Sequence, residues 1–361
     1  MKYVDEFRSP ESVRRLLALI RGRSRTPVCL MEFCGGHTHA VLRFGFRQLL
    51  PSTVRLLAGP GCPVCVTSPA DLDRAIAVAR TRGVTLATFG DMLRVPGSKG
   101  TLQEAKARGA DVRVVYSTLD ALAIARANPD REVVFLAVGF ETTAPSVAAA
   151  VLGAQQEGLK NFSILSLHKL TPPAMRAILD SGEVRLSGIL GPGHVTTIIG
   201  TDAWGFLARD YGIPCAVAGF EPVDILMALH ALVDSIERES PEVLNAYTRS
   251  ARPEGNLQAQ GCVDRVFRAD TAEWRGLGRV PMSGLFLRDA FAGLDAASRF
   301  PVDIEPATEP AGCLCGEVLR GRVEPPDCPL FSRACRPEHP IGPCMVSGEG
   351  ACAAHILYGE A

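Results

Sequence analysis

Residues 54–91 read VRLLAGPGCPVCVTSPADLDRAIAVARTRGVTLATFGD, and this stretch decides the fold. An apolar run from Val54 stops at the turn Gly59-Pro60-Gly61, a break that suits a strand end. Ser68-Pro69-Ala70-Asp71 is a capping box with proline at the first helical position, so a helix is predicted through about Arg82. Gly83 then releases the chain into a second apolar strand, VTLATFGD. Strand, helix and strand in this order make a βαβ unit, which implies parallel strands. The strand runs are apolar throughout, as a sheet covered on both faces requires.

The same rhythm extends in both directions. Upstream, Ser9-Pro10-Glu11 opens a helix with Leu16, Leu17 and Ile20 on one stripe, and VCLMEF is a strand ending at Cys34. Downstream come the helix LQEAKARG, the strands VRVVYS, EVVFLAV and FSILSLH, the helix TPPAMRAILDSG, and the strand ends LSGILGPGH and PCAVAGFEP. Strand ends echo one another: LAVGFE at 136–141 with AVAGFE at 216–221, and LLAGPGCPV at 56–64 with GILGPGHV at 188–195. The expectation is two related parallel-sheet α/β domains, residues 1–130 and 131–240. After about residue 240 the rhythm fades into Gly, Pro, Arg and Cys, which marks residues 241–361 as a third, irregular module. A helix within residues 1–25 is free to pack on that module.

The totals narrow the function. The 361 residues carry 38 basic and 39 acidic side chains, net −1, so nothing in the charge favours nucleic acid or an anionic membrane surface. The opening MKYVDEFRSPES has no apolar signal core, and no apolar run approaches the roughly 18 residues of a spanning helix. The chain therefore reads as cytoplasmic. In a reducing compartment its twelve cysteines point to metal binding or redox chemistry. Cys29, Cys215 and Cys262 sit in apolar or unremarkable surroundings and read as small buried hydrophobes.

Three loops at expected strand ends are candidates for a shared site: residues 34–39, 59–65 and 139–143. Ligands in open α/β sheets lie beyond the carboxyl ends of the strands, so the loops converge if their strands are neighbours in one sheet. Cys62-Pro63-Val64-Cys65 puts two thiols at a helix start, a redox disulfide or half a metal site. In MEFCGGHTHA, Cys34 is followed by Gly35-Gly36, which removes side chains near the sulfur so that another backbone or a partner can approach. His37 can ligate metal, donate a proton or stabilise thiolate, and His39 can orient it; the bland alternative is a hydrogen-bonded structural imidazole. Glu141 in GFETT orients an imidazole or binds a cation, unless Thr142 or Thr143 simply caps a helix. His194 in GPGH can face the same cleft, whereas His168, His230 and His339 read as structural or solvated.

Six more cysteines lie at 313, 315, 328, 335, 344 and 352. Zinc ribbons use paired C-x-x-C knuckles, and this segment has none. Four thiolates on irregular Gly/Pro-rich turns suit a [4Fe–4S] cluster, leaving two thiols beside it. Spacing leaves open which four ligate. The chain lacks a P-loop, a complete dinucleotide fingerprint and a C-x-x-x-C-x-x-C radical-cluster motif.

Taken together, FCGGHTH, GPGCPVC, GFETTAP, GFEP, CLCGEVLRG, DCPLF and PEHPIGPCMVSGEGAC resemble the HypD family of [NiFe]-hydrogenase maturation factors, in order and over nearly the whole chain. The match departs at Gly348, where serine is expected, and at His355, where an aromatic is usual. The resemblance implies two α/β domains facing a cleft and a third domain with a [4Fe–4S] cluster, a scaffold with redox activity more than a conventional turnover enzyme. It implies assembly of an Fe(CN)2CO unit, with iron held between Cys34 and the N-terminal cysteine of a HypC-family chaperone. A HypE-family partner delivers cyanide from a thiocyanate. The catalytic set it implies is Cys34, His37, Cys62, Cys65 and Glu141. By comparison with ferredoxin:thioredoxin reductase, Cys313, Cys328, Cys335 and Cys352 ligate the cluster, and Cys315 with Cys344 forms the thiol pair. The rival reading is a cluster-dependent thiol–disulfide oxidoreductase using Cys62 and Cys65; a third is a structural zinc protein.

Overall fold

The computed structural model describes residues 5–359. Its strands are β1 (Val28–Glu32), β2 (Val54–Ala58), β3 (Val84–Thr88), β4 (Asp111–Val114), β5 (Glu132–Ala137), β6 (Phe162–Ser166), β7 (Gly188–Pro192), β8 (Cys215–Ala218), β9 (Val243–Asn245), β10 (Phe267–Trp274) and β11 (Gly278–Leu287). Two parallel sheets carry the fold, in the orders β2-β1-β7-β8-β9 and β4-β3-β5-β6; β10 and β11 pair as an antiparallel hairpin.

The opening stretch folds as its local chemistry dictates. Ser68 Oγ accepts the Asp71 N–H at 3.1 Å and Pro69 opens the helix Pro69–Ala79. Leu72, Ala75, Ile76 and Ala79 turn inward to share a core with Val84 and Leu86. The helix ends three residues before the expected Arg82. Gly83 adopts φ +84°, and the Val84 N–H bonds back to Thr81, a turn that a continuing helix would forbid.

The sheets do not follow the expected division at residue 130. β5 and β6 join β3 and β4, whereas β7, β8 and β9 return to the sheet that β1 and β2 began. Leu30 and Met31 of β1 are fully buried, and the strand is bonded on both edges, to β2 and to β7. The chain therefore leaves an unfinished first sheet after β2, builds the whole second sheet, and comes back.

The helix Pro10–Arg23 packs on the helix Pro222–Glu237, not on the C-terminal module. Leu17 and Ile20 share a core with Ile225 and Leu229, each such burial contributing roughly 1.5–3 kcal/mol. Arg23 pairs with Asp234 at 2.8 Å. The third module is also more regular at its start than expected. The helix Leu257–Val266 packs on Ala144–Glu157, and β11 packs on Thr171–Ser181. Residues 301–310 have no regular structure. The cysteine-rich segment beyond is tied to the sheets by Arg47–Glu324 at 2.8 Å and by Arg94 donating to the carbonyls of Pro337 and Val346. Among the described residues no helix is long and apolar enough to cross a membrane.

Candidate functional site

Topology places the site. β1 leads to β2 on one side and β7 leads to β8 on the other, so the first sheet reverses direction between β1 and β7. The second sheet reverses between β3 and β5 in the same way. Strand-end loops diverge at such switch points and leave a crevice. Here the two crevices form one cleft of ≈ 670 Å³. Cys34 and His39 enter it after β1, Pro63 and Val64 after β2, and His194 after β7. Phe89 and Asp91 face them from the end of β3, and Thr142 and Thr143 from beyond β5. Ser347 and Glu349 of the C-terminal segment complete the wall.

The three expected loops do meet, but not on one sheet. Residues 34–39 and 59–65 follow adjacent strands, whereas residues 139–143 reach the cleft from the opposite sheet. The third loop on the first sheet is the one that carries His194.

The glycines are required by the chain itself. A Cβ on Gly61 would collide with the backbone of Cys34, and one on Gly35 with the backbone of Glu349. At Gly36 a Cβ would stand 2.9 Å from the Phe220 ring. The space beside Gly35-Gly36 is thus taken by this chain's own Glu349 and Phe220, so these glycines serve internal packing before any partner arrives.

Cys34 precedes the helix Gly35–Arg43 and is half-buried at the cleft floor. Burial pushes its thiol up to about 12, the Glu349 carboxylate adds to this, and the N–H groups of Gly36 and His37 oppose it. His37 is fully buried; its Nε2–H donates to the carbonyls of Ala218 at 3.2 Å and Gly219 at 3.0 Å. Burial lowers its pKa to about 4, so the ring is neutral and Nδ1 is a bare acceptor without a partner. His37 therefore offers a lone pair and not a proton at neutral pH. His39 donates from Nδ1 to the Gly348 carbonyl at 3.4 Å and meets Tyr358 edge-on.

Glu141 is turned to another task than the expected imidazole or cation. Its carboxyl accepts the Thr171 N–H at 2.7 Å and the Thr171 hydroxyl at 3.1 Å, at the start of the helix Thr171–Ser181. Burial pushes it up to about 7. Thr143 makes no side-chain cap; its hydroxyl donates to the Phe140 carbonyl.

Cys62 and Cys65 form a disulfide, 3% and 0% exposed. The Cys65 N–H donates to Cys62 Sγ at 3.1 Å. All six C-terminal cysteines line a second, small cavity walled by Leu330, Phe331 and Met345. Within it Cys344 is held well above its usual range by the neighbouring Cys315 and Cys352 and by burial. Burial raises Cys315 too, but the neighbouring Cys344 and the nearby Arg275 guanidinium outweigh it and hold that thiol below its usual range. Cys313 is pushed up to about 12 by burial, then by Cys315, Cys328 and Cys352. Cys335, raised mainly by burial, feels Cys352 and Cys328.

A sulfur-ligated cluster fits these residues. The donors are all thiols, among the described residues no charged side chain lines the cavity, and a Cβ on Gly342 would stand 2.6 Å from Cys313 Sγ. The Ile341 N–H already donates to Cys335 Sγ at 3.3 Å. Even so, among the described residues no three His, Cys, Asp or Glu side chains are gathered around one metal position.

Sequence reasoning missed four residues here. Glu32 is fully buried with neither carboxyl oxygen hydrogen-bonded. Burial pushes it up to about 7, with Arg47 and Thr38 pulling back, Thr38 without completing a bond. A lone acid in the apolar run VCLMEF was the available signal. Arg275, buried, donates to the Thr67 carbonyl at 3.1 Å and so links the disulfide loop to Cys315. Phe220 and Glu349 reach the site from far along the chain, and no local pattern announces them.

Fold and cleft define a class: an α/β protein whose two parallel sheets meet switch point to switch point over a cysteine, backed by a buried disulfide and a six-thiol cavity. The profile of the HypD family, described as "Hydrogenase formation hypA family", matches residues 11–359. The chain is 50% identical to the hydrogenase maturation factor HypD of Azotobacter vinelandii, covering 100% of this chain and 97% of that one. Identity is 47% to the hydrogenase maturation factor HypD of Cupriavidus necator, over 100% and 98%. It is 43% to that of Escherichia coli K12, over 99% and 98%. The chain belongs to the HypD family, and its role lies in hydrogenase maturation.

Proposed function

We propose that the cleft is where an iron atom acquires cyanide and carbon monoxide, held between Cys34 and the terminal cysteine of a HypC-family chaperone. One observation carries this reading: Cys34 lines the cleft at which both switch points meet. Its thiol keeps its proton in the iron-free protein. Iron replaces that proton, so loading releases one. His37, locked to two carbonyls and stacked on Phe220 at 4.7 Å, fixes the turn that presents the sulfur. Glu141 acts at one remove, tying the turn before Thr142 to the helix Thr171–Ser181.

Cyanide from a HypE-family thiocyanate requires cleavage of a carbon–sulfur bond. The thiocyanate takes up two electrons and one proton and leaves as thiol and cyanide. A dithiol closing to a disulfide supplies two electrons, which suits Cys62 and Cys65. Cys315 and Cys344, neighbours on the wall of the six-thiol cavity, are the second such pair. Cys313, Cys328, Cys335 and Cys352, which line the same cavity, are then the four left to hold a [4Fe–4S] cluster, which when bound supplies electrons singly. Open thiols of this number suit the cytoplasm.

The rival, a general thiol–disulfide oxidoreductase, needs an exchange sulfur that a foreign disulfide can reach. Cys62 and Cys65 are both shut from solvent, so in the proposed role they pass electrons through the protein and not by direct exchange, and free exchange with a foreign disulfide is disfavoured. Protein purified anaerobically with its small partner separates the readings. Infrared bands of iron-bound cyanide and carbon monoxide, with a cubane signal in Mössbauer spectra, are expected. Rapid turnover of a generic disulfide without a partner, and no such bands, would favour the rival.

A further inference from the structure

One imidazole in the cleft has no structural task. His194 follows β7 at the start of the helix Gly193–Ile199. It is exposed, it lines the same cleft as Cys34, and among the described residues neither ring nitrogen has a hydrogen-bond partner. His37 and His39 differ: each is bonded to carbonyl oxygen. Yet the His194 ring is held. It lies 4.1 Å from the Phe220 ring, which stacks on its other neighbour, His37, and fills the space beside Gly36. The preceding Gly193 is pressed on the Ala218 carbonyl and on Tyr247, so the turn cannot drift. A polar group held in direction, bonded to no other part of the described chain and open to a cleft is placed to meet a ligand.

Topology says which ligand it meets. β1 and β7 are adjacent, and the switch-point crevice opens between their ends, between Cys34 and His194. The echoed turns GPGC and GPGH flank β1 on its two sides, and one brings sulfur where the other brings imidazole. Among the described residues no lysine or arginine lines the cleft, and Asp91 and Glu349 only accept when ionised. Thr143 gives its hydroxyl to Phe140. His194 is the free side-chain donor on the sheet of Cys34, and a neutral imidazole offers one N–H. That suits a ligand ending in a single acceptor atom.

We propose that His194 donates a hydrogen bond to the nitrogen end of a cyanide group brought to Cys34, which makes it a second binding residue of the site; this rests on the reading of the cleft given above. No bond is made or broken by it. It selects and orients a linear ligand with an accepting terminus.

The test uses the full chain purified anaerobically with its small chaperone, read by infrared spectroscopy in water and in deuterium oxide. Two variants separate donor from stack: His194→Phe keeps a ring against Phe220 without a donor, and His194→Gln keeps a donor without the ring. A hydrogen bond draws on the nitrogen lone pair and stiffens the carbon–nitrogen bond. His194→Phe should therefore lower one cyanide band, abolish its deuterium sensitivity and leave the carbon monoxide band nearly in place. His194→Gln should keep the band near its original position. Cyanide bands unmoved in His194→Phe, with wild-type bands present, would overturn the role of His194 and leave the cleft reading intact. Wild-type protein without any cyanide band would overturn both.

Discussion

Cys65 Sγ lies 3.9 Å from the carbonyl oxygen of Pro343. The contact seats the Cys62–Cys65 disulfide against the turn Pro343–Met345, whose middle residue, Cys344, lines the six-thiol cavity with Cys315. The disulfide behind the cleft and the thiol cavity of the tail thus adjoin inside the protein. A low-potential electron donor should open the Cys62–Cys65 disulfide in wild-type protein and leave it closed in Cys344→Ala. With the proposed cluster in the six-thiol cavity, that variant should keep its visible absorption, whereas Cys328→Ala should lose it. Differential alkylation before mass spectrometry reads the thiols; equal opening in Cys344→Ala would place the route elsewhere.

Gly36→Ala forces a methyl to within 2.9 Å of Phe220 and should cost about 1–3 kcal/mol, the usual range for overpacking. Gly61→Ala should cost more, because the obstacle is the Cys34 backbone and cannot swing aside. Gly153, inside the helix Ala144–Glu157 with open space around it, is the control: Gly153→Ala should stabilise by up to about 1 kcal/mol. Thermal denaturation orders the three. Gly36→Ala as stable as wild type would mean that Phe220 is free to move.

Glu141 gives the protein a defined pH dependence. Burial holds its pKa at about 7, above the ordinary value near ~4.3, so between those limits the native state binds more protons than the unfolded chain. Stability from this group is therefore full below the lower value and is lost as pH rises through the upper. Glu141→Gln keeps an acceptor for Thr171 and carries no charge. Its melting temperature should match wild type near pH 4.5 and exceed it at pH 8, by a free energy on the order of 4 kcal/mol at most. Iron retention should survive the change, because Glu141 faces Thr171. A wild type more stable than the variant at pH 8 would contradict this.

Local chemistry was legible in the sequence and pairing was not. Ser68 and Asp71 announced a helix because capping involves neighbours, and Cys62 and Cys65 announced a site because two residues separate them. Nothing within Val133–Ala137 says that it pairs with β3 and β6 instead of β8; an apolar strand carries no label for its neighbours. The echoes show both sides of this. GPGC and GPGH do flank the same strand, but LAVGFE and AVAGFE end up on different sheets. His194 was open to either reading because an isolated histidine has no period, and only the fold shows that its nitrogens are free. His37 was expected as a ligand or acid, yet the carbonyls of Ala218 and Gly219, far along the chain, make it a neutral anchor.

The most direct measurement is the infrared spectrum of Cys34→Ala purified anaerobically with the small chaperone, beside its visible spectrum. The proposed site predicts no iron-bound cyanide or carbon monoxide bands and an undiminished cluster absorption. Both sets of bands at wild-type strength would show that the iron is held without Cys34 and would contradict the central claim.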